Sequence, residues 1–111
     1  MSYNSVKTIE VFEKQAKKLL KKYTSLKNEL LKLIQELKQN PEQGTPLGKS
    51  CYKIRLSIAS KNKGKSSGAR IITHVIVRDN TVYMLSIYDK SEKESLSDKE
   101  LRDLLLSLIH I

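Results

Sequence analysis

The stretch that decides the fold runs from residue 60 to residue 94 and reads SKNKGKSSGARIITHVIVRDNTVYMLSIYDKSEKE. It begins with a basic loop, and two β-like runs follow, at residues 71–77 and 81–87. The Arg-Asp-Asn triplet between these runs is suited to a hairpin turn, because Asp and Asn tolerate positive φ. The stretch therefore predicts a β-hairpin that is preceded by a basic loop.

Positive charge is concentrated in this part of the chain. Residues 61–78 contain five Lys/Arg and no Asp or Glu, in a chain of 111 residues with a net charge of +9. Such a surface suits a nucleic acid, a membrane surface or an acidic protein. The other interpretation is a soluble, Lys-rich protein whose lysines have no partner.

A third strand is predicted upstream of the hairpin. Residues 51–58 alternate, with Ile54 on an apolar face and Arg55 on a basic one. Residues 41–50 contain two Pro and two Gly and are predicted to be a loop. In the last strand, strict alternation would place Tyr83, Leu85 and Ile87 opposite Val82, Met84, Ser86 and Tyr88.

Two amphipathic helices precede this sheet. Apolar residues recur at helical spacing from Phe12 to Tyr23 and again from Leu26 to Leu37. The link between them is short, so the helices should form an antiparallel hairpin, with Ser25 capping the second. Residues 5–10 favour a first strand.

The C-terminal helix has the clearest start signal. Ser97 and Glu100 form a capping box, with Leu96 and Leu101 placed as a hydrophobic staple. Its apolar stripe is wider than one contact requires, so the helix either meets a partner or docks deeply. The order β-α-α-β-β-β-α predicts one α+β domain over residues 1–111, with the first strand and helical hairpin packed on a curved antiparallel sheet.

Several kinds of site and location are excluded or disfavoured by the sequence. Cys51 is the one cysteine, so no disulfide or Cys/His zinc site is expected. Cys51 has no base near it in sequence and is not a predicted nucleophile. His74 is predicted to be a tolerated sheet histidine, and His110 to be inert. Without a signal peptide or an 18-residue apolar run, a cytoplasmic location is expected.

Five features follow one another along the chain: the helical hairpin, then NPExGTPLG at 40–48, YKIRL at 52–56, GKSxGxR at 64–70 and YMLxIYxKxEK at 83–93. In this order and spacing they resemble the RelE/ParE toxin superfamily, and most closely its RelE/HigB-like branch. The resemblance covers nearly the whole chain.

The resemblance implies a toxin of a type II toxin–antitoxin pair. The RelE-like branch cleaves mRNA on the ribosome without a metal ion or other cofactor, whereas the ParE-like branch poisons DNA gyrase. The leading hypothesis is thus a ribosome-dependent endoribonuclease; the alternatives are a gyrase poison and a plain RNA-binding module. A cognate antitoxin with an acidic or amphipathic segment is expected to dock on the basic stretch and on the apolar face of residues 101–111.

RNA cleavage without a metal requires deprotonation of the 2′-hydroxyl, stabilisation of the phosphorane and protonation of the 5′-oxygen. Arg70 is predicted to hold the scissile phosphate, unless it forms a structural ion pair. Tyr88 would carry a proton or stack on a base, with an aromatic that caps the end of the strand as the alternative. Lys90 would bind phosphate or lower the pKa of a neighbour. The residues predicted to bind RNA, with a solvated loop as the alternative for the lysines, are Arg55, Lys61, Lys63 and Lys65.

Two further expectations concern geometry. Arg55, Arg70 and Tyr88 fall on three neighbouring strands and share a face if the register allows it. Glu92 is either a base or an ion-pair partner of Lys90 or Arg70.

Overall fold

A computed structural model of the chain describes residues 5–61, 68–93 and 95–109. It confirms an α+β fold. Short 3₁₀ turns at Ala59–Lys61 and Val77–Asp79 separate some of the longer elements. In chain order these are β1 (Ser5–Thr8), α1 (Glu10–Lys22), α2 (Leu26–Gln39), β2 (Thr45–Gly48), β3 (Cys51–Leu56), β4 (Ala69–Ile76), β5 (Thr81–Asp89) and α3 (Asp98–Ile109).

The five strands form one sheet in the order β1-β5-β4-β3-β2. Strand β1 runs parallel to β5, and the other pairs are antiparallel. Strand β2 corrects the sequence analysis, which predicted only a loop at residues 41–50. Pro46 pairs with Tyr52 there, and a proline is tolerated because β2 is an edge strand that does not need every N–H for the ladder.

The turn between β4 and β5 is the one predicted. Asn80 lies in the left-handed region, at φ 50° and ψ 44°, and its N–H donates to the Val77 carbonyl at 3.1 Å. An Asn is well suited to this conformation because its short polar side chain tolerates positive φ.

Strand β5 contains a bulge that the sequence did not reveal. Ile72 lies opposite Ser86, but the next residue of β4, Thr73, lies opposite Met84. Leu85 is therefore an extra residue on β5, and the pleat is interrupted there.

The bulge overturns the predicted faces of β5. Met84 shares a face with Ile87, and Tyr83 shares a face with Tyr88. Strict alternation had assigned these pairs to opposite faces. Alternation is reliable only where both strands contribute one residue per rung, which fails at a bulge.

Helix α1 closes the open edge of β5. The Oε1 atom of Gln15 accepts hydrogen bonds from the Ile87 backbone N–H at 3.0 Å and from the Ser86 hydroxyl at 2.9 Å. These donors lie beyond the end of β1, which pairs only with residues 81–84 of β5. A helix side chain thus takes over from the missing ladder partner and fixes α1 against the strand.

The α1–α2 link makes contacts that differ from those expected. Ser25 occupies the N-cap position of α2, but its side chain makes no capping hydrogen bond. Its hydroxyl instead donates to the Glu29 carboxylate at 3.1 Å and accepts from the Ser60 N–H at 2.9 Å. The helical hairpin is therefore tied to the segment that follows β3.

Helix α3 begins as predicted. The Glu100 N–H donates to the Ser97 hydroxyl at 3.1 Å, and the Ser97 N–H donates to the Glu100 carboxylate at 3.0 Å, which completes the capping box. Leu101 is buried, whereas Ile109 is 74% exposed, so part of the apolar surface of α3 faces solvent. Over the described residues, no helix is long and apolar enough to cross a bilayer.

Candidate active site

Three predicted site residues form one row across the sheet. Arg55 of β3 lies directly opposite Arg70 of β4, and Arg70 lies directly opposite Tyr88 of β5. Directly opposed residues on antiparallel strands project from the same face. The register thus brings together three side chains that are far apart in sequence, and we call them the Arg-Arg-Tyr row.

Within this row the two guanidinium groups face each other across neighbouring strands. Like charges directly opposite one another destabilise a sheet. Arg55 is exposed, but Arg70 is only 3% exposed, and its Nη1 donates to the Ala69 carbonyl at 3.2 Å. Burial first, and the charge of Arg55 second, lower the pKa of Arg70 from its ordinary value. The row therefore holds two positive charges close together, although both burial and the charge of Arg55 disfavour the charged form of Arg70.

The third member, Tyr88, is a buried phenol. Among the described residues its hydroxyl has no hydrogen-bond partner. Burial raises the pKa of Tyr88 above its ordinary value of 10.0, and the opposing pull of Arg70 is smaller. Tyr88 is therefore protonated at neutral pH, so it can donate a proton or a hydrogen bond, but it cannot serve as a base.

A lysine that the sequence analysis passed over adjoins the row. The Nζ atom of Lys93 lies 5.9 Å from the centroid of the Tyr88 ring, within the range of a cation–π contact. The same ammonium forms an ion pair with Glu100 of α3. Lys93 follows Tyr88 by five residues, and no spacing rule for strands or helices would have paired them.

Lys90 and Glu92 lie in the turn after β5. The Lys90 N–H donates to the Gly68 carbonyl at 3.0 Å, which joins this turn to the start of β4. Glu92 was predicted to be a base or a partner of Lys90 or Arg70. Its carboxylate instead pairs with Lys22 of α1, with 3.4 Å between Nζ and Oε1. The structure thus corrects the ion-pair partner, and the predicted function of Lys90 stays a prediction.

The predicted RNA-binding loop is only partly described. Lys63 and Lys65 lie outside the described residues, as does His110. Lys61 ends the 3₁₀ turn Ala59–Lys61, and only its backbone is described. At the far end of the loop, a side chain on residue 68 would collide with the Leu56 carbonyl, so Gly68 permits β4 to start close against β3.

The fold brings a base to Cys51 that the sequence did not indicate. Cys51 lies opposite His74, with 3.5 Å between Sγ and Nδ1. However, the thiol is 1% exposed, and burial raises the pKa of Cys51 to about 11. Burial also lowers the pKa of His74 from its ordinary 6.5. Both groups are therefore neutral at neutral pH, and the pair lacks the thiolate that nucleophilic attack needs.

Within residues 5–61, 68–93 and 95–109, no group of three or more His, Cys, Asp or Glu side chains is arranged to hold a metal ion.

Comparison with known proteins identifies the family of the chain. The family model described as the RelE toxin of the RelE/RelB toxin–antitoxin system matches residues 9–107. The chain belongs to the RelE toxin family. A solved structure of a double-arginine mutant of the toxin RelE from E. coli, in the free state, is similar to it, with a TM-score of 0.59 and 25% sequence identity. The match covers 85% of this chain and 90% of that one.

Family membership confirms the predicted kind of function. The protein is a toxin of a type II toxin–antitoxin system, of the ribosome-dependent, mRNA-cleaving kind. The gyrase-poisoning alternative is not favoured. As a RelE toxin, it has an antitoxin as one partner and the ribosome with its mRNA as the other.

Proposed function

We propose that the Arg-Arg-Tyr row is the site at which this RelE-family toxin holds and cleaves mRNA. The observation that carries the proposal is the register, which sets Arg55, Arg70 and Tyr88 side by side on one face. Two arginines and a neutral phenol provide charge for a phosphate and a proton for a leaving group, two of the three requirements of the reaction.

The two arginines have different tasks in this proposal. Arg55 is exposed and contacts the RNA backbone first, by charge-assisted hydrogen bonds to phosphate oxygens. Arg70 is buried and faces Arg55, so its charge raises the positive potential from beneath. An anion between the two guanidinium groups removes their mutual repulsion, and the doubly negative phosphorane removes more of it than the ground-state phosphate does. The pair therefore favours the transition state.

Tyr88 acts as the general acid. Once water or a ribosomal group has taken the proton of the 2′-hydroxyl, the 2′-oxygen attacks phosphorus. The bond from phosphorus to the 5′-oxygen then breaks, and that oxygen takes the phenolic proton. The raised pKa of Tyr88 ensures that the proton is present, and the buried hydroxyl has no competing partner among the described residues. The charge of Lys93 near the ring and of Arg70 opposite stabilises the phenolate as it forms.

Lys90, together with the loop lysines Lys61, Lys63 and Lys65, completes the contact with the RNA. The Lys90 N–H donates to the Gly68 carbonyl at the start of β4, so Lys90 lies near the strand that contains Arg70. These lysines steer RNA to the site and set its register without reading its bases. Because translation takes place in the cytoplasm, the proposal also places the protein there.

The antitoxin partner is proposed to carry an acidic, amphipathic segment. Leu106 and Ile109 leave apolar surface of α3 uncovered, at 54% and 74% exposure. The basic stretch at residues 61–78 supplies complementary charge. A segment that covers both surfaces would hide the row and neutralise its charge, which inhibits the toxin.

The proposed function is tested by brief expression followed by mapping of transcript ends and of DNA breaks. New mRNA ends that appear with wild-type protein and disappear with Arg70→Ala, while that variant stays folded, support the proposal. Trapped double-strand breaks with intact transcripts would indicate a gyrase poison. Salt-sensitive RNA binding without cut transcripts or growth arrest would indicate a plain RNA-binding module.

A further inference from the structure

Asp89, the last residue of β5, is a fully buried acid for which neither the sequence analysis nor the proposed reaction gives a task. Its side chain is 0% exposed, although it stands between Tyr88 and a surface turn. Burying an ionised carboxylate costs free energy unless hydrogen bonds and an opposite charge compensate it. The contacts of this carboxylate therefore show which segments of the fold it connects.

Both carboxylate oxygens of Asp89 accept hydrogen bonds. Oδ2 accepts from the Tyr23 hydroxyl at 2.6 Å and lies 4.0 Å from the Lys22 ammonium. Oδ1 accepts from the backbone N–H of Ser91 at 2.9 Å and from its hydroxyl at 2.7 Å. The first set of contacts reaches the end of α1, and the second reaches into the turn that follows β5.

The backbone of Asp89 holds the same turn. Its carbonyl accepts from the N–H of Glu92 at 3.0 Å and from the N–H of Lys93 at 3.1 Å. Side chain and carbonyl together thus fix residues 90–93, in the manner of an Asx turn. Lys93, at the end of that turn, is the residue whose ammonium lies over the Tyr88 ring.

We infer that Asp89 is a positioning residue for the cleavage reaction: its carboxylate, bridging Tyr23 and Ser91, sets the turn that places the Lys93 ammonium over Tyr88. The inference rests on the proposed function of the Arg-Arg-Tyr row. Tyr23 is the C-cap residue of α1, so the bridge anchors the turn to a rigid helix. Anchoring matters because a displacement of about 1 Å can slow an enzyme roughly 100-fold.

The test measures kcat and KM for cleavage of ribosome-bound mRNA by wild-type protein, Asp89→Asn and a matched control, Asp79→Asn. Asp89→Asn keeps the size of the side chain but removes its charge and one acceptor. Its kcat is expected to fall about 10- to 100-fold while KM stays near that of wild type, because RNA binding does not involve Asp89. Asp79 is exposed in the turn between β4 and β5, so the same substitution there should match wild type.

A double-mutant cycle separates positioning from mere stabilisation. If Asp89 acts through Lys93, Asp89→Asn combined with Lys93→Ala should cleave no more slowly than the slower single variant. A purely structural residue would lower the free energy of unfolding but leave kcat per folded molecule unchanged, and that result would overturn the inference. Fully additive losses in kcat would overturn it as well.

If Asp89→Asn does not fold, a milder substitution in the same bridge tests the inference. Tyr23→Phe removes one hydroxyl from the bridge, and the folded variant should lose kcat without a change in KM. A folded Tyr23→Phe with the wild-type kcat would refute the inference. Absence of cleavage by wild-type protein would instead refute the proposed function, so the two failures are distinguishable.

Discussion

Two adjacent rungs of the sheet, each a row of directly opposed residues on β3, β4 and β5, differ in polarity. Ile54, Ile71 and Ile87 lie opposite one another and are all buried, at 6%, 0% and 1% exposure. One residue further along, the rung consists of two arginines and a tyrosine, the Arg-Arg-Tyr row. Successive residues of a strand point to opposite faces, so the two rungs lie on opposite sides of the same sheet.

If the proposed function is right, the isoleucine rung serves folding and the Arg-Arg-Tyr row serves cleavage. The isoleucine rung removes apolar surface from water and stabilises the sheet. The Arg-Arg-Tyr row sets two like charges opposite each other and buries the Tyr88 hydroxyl without a partner among the described residues, and neither feature favours stability. Substitutions in the two rungs should therefore change different quantities.

The largest effect is expected from Tyr88→Phe. Loss of the general acid should slow cleavage by about 10² to 10⁴, and because the buried hydroxyl has no described partner, the free energy of unfolding should stay constant or rise. Tyr83→Phe, at a half-buried position of β5, is the control and should cleave normally. Single-turnover cleavage and urea denaturation measure both quantities, and a Tyr88→Phe variant of full activity would remove Tyr88 from the reaction.

Ile71→Ala probes the other rung. Truncating this fully buried side chain should lower the free energy of unfolding by about 2–5 kcal/mol, because contacts are lost and a cavity remains. The fraction that stays folded should cleave with an unchanged kcat. If the variant loses kcat per folded molecule but no stability, the division between the two rungs is wrong.

Arg55→Ala should have a smaller effect on activity. Arg55 is exposed, so its loss should weaken RNA binding and lower the slope of log K against log salt by about 0.7, as expected for one phosphate contact to a single strand. Lys32→Ala, an exposed charge on α2, is the control for net charge. Equal slopes for the two variants would contradict a specific contact by Arg55.

The smallest effect concerns pH and His74. Because burial lowers the pKa of His74 below 6.5, the unfolded chain takes up this proton before the folded protein does. The stability contributed by neutral His74 is thus complete above pH 6.5 and is lost as the pH falls below it. Between pH 7.5 and pH 5.5, the free energy of unfolding measured by denaturation should fall more for wild type than for His74→Gln. Equal decreases would contradict the predicted direction of the pH effect.

Much of the fold could be predicted because its signals are local. The Ser97–Glu100 capping box and the Asn80 turn each depend on a few neighbouring residues, and both are present as expected. Strand β2 could not be predicted, because Thr45–Gly48 is exposed throughout and is a strand only through its pairing with β3. The bulge at Leu85 was hidden for a similar reason, since it becomes apparent only when β4 is aligned with β5.

The candidate site shows the same limit. Residue types and strand order indicated Arg55, Arg70 and Tyr88, but only the register could show that they are direct neighbours. Neither the burial of Arg70 nor the approach of Lys93 to Tyr88 has a sequence signal, because the first depends on packing between distant elements and the second on the path of the turn after β5. The same holds for the contact between Tyr23 and Asp89.

The most direct test of the central claim is to measure cleavage rate and free energy of unfolding on one sample of Arg70→Met. Methionine keeps the long apolar stem but removes the charge that faces Arg55. We expect the folded variant to cleave at least about 100-fold more slowly, whatever the change in its free energy of unfolding. An Arg70→Met variant that is less stable yet cleaves at the wild-type rate would show that Arg70 serves the fold and not the reaction.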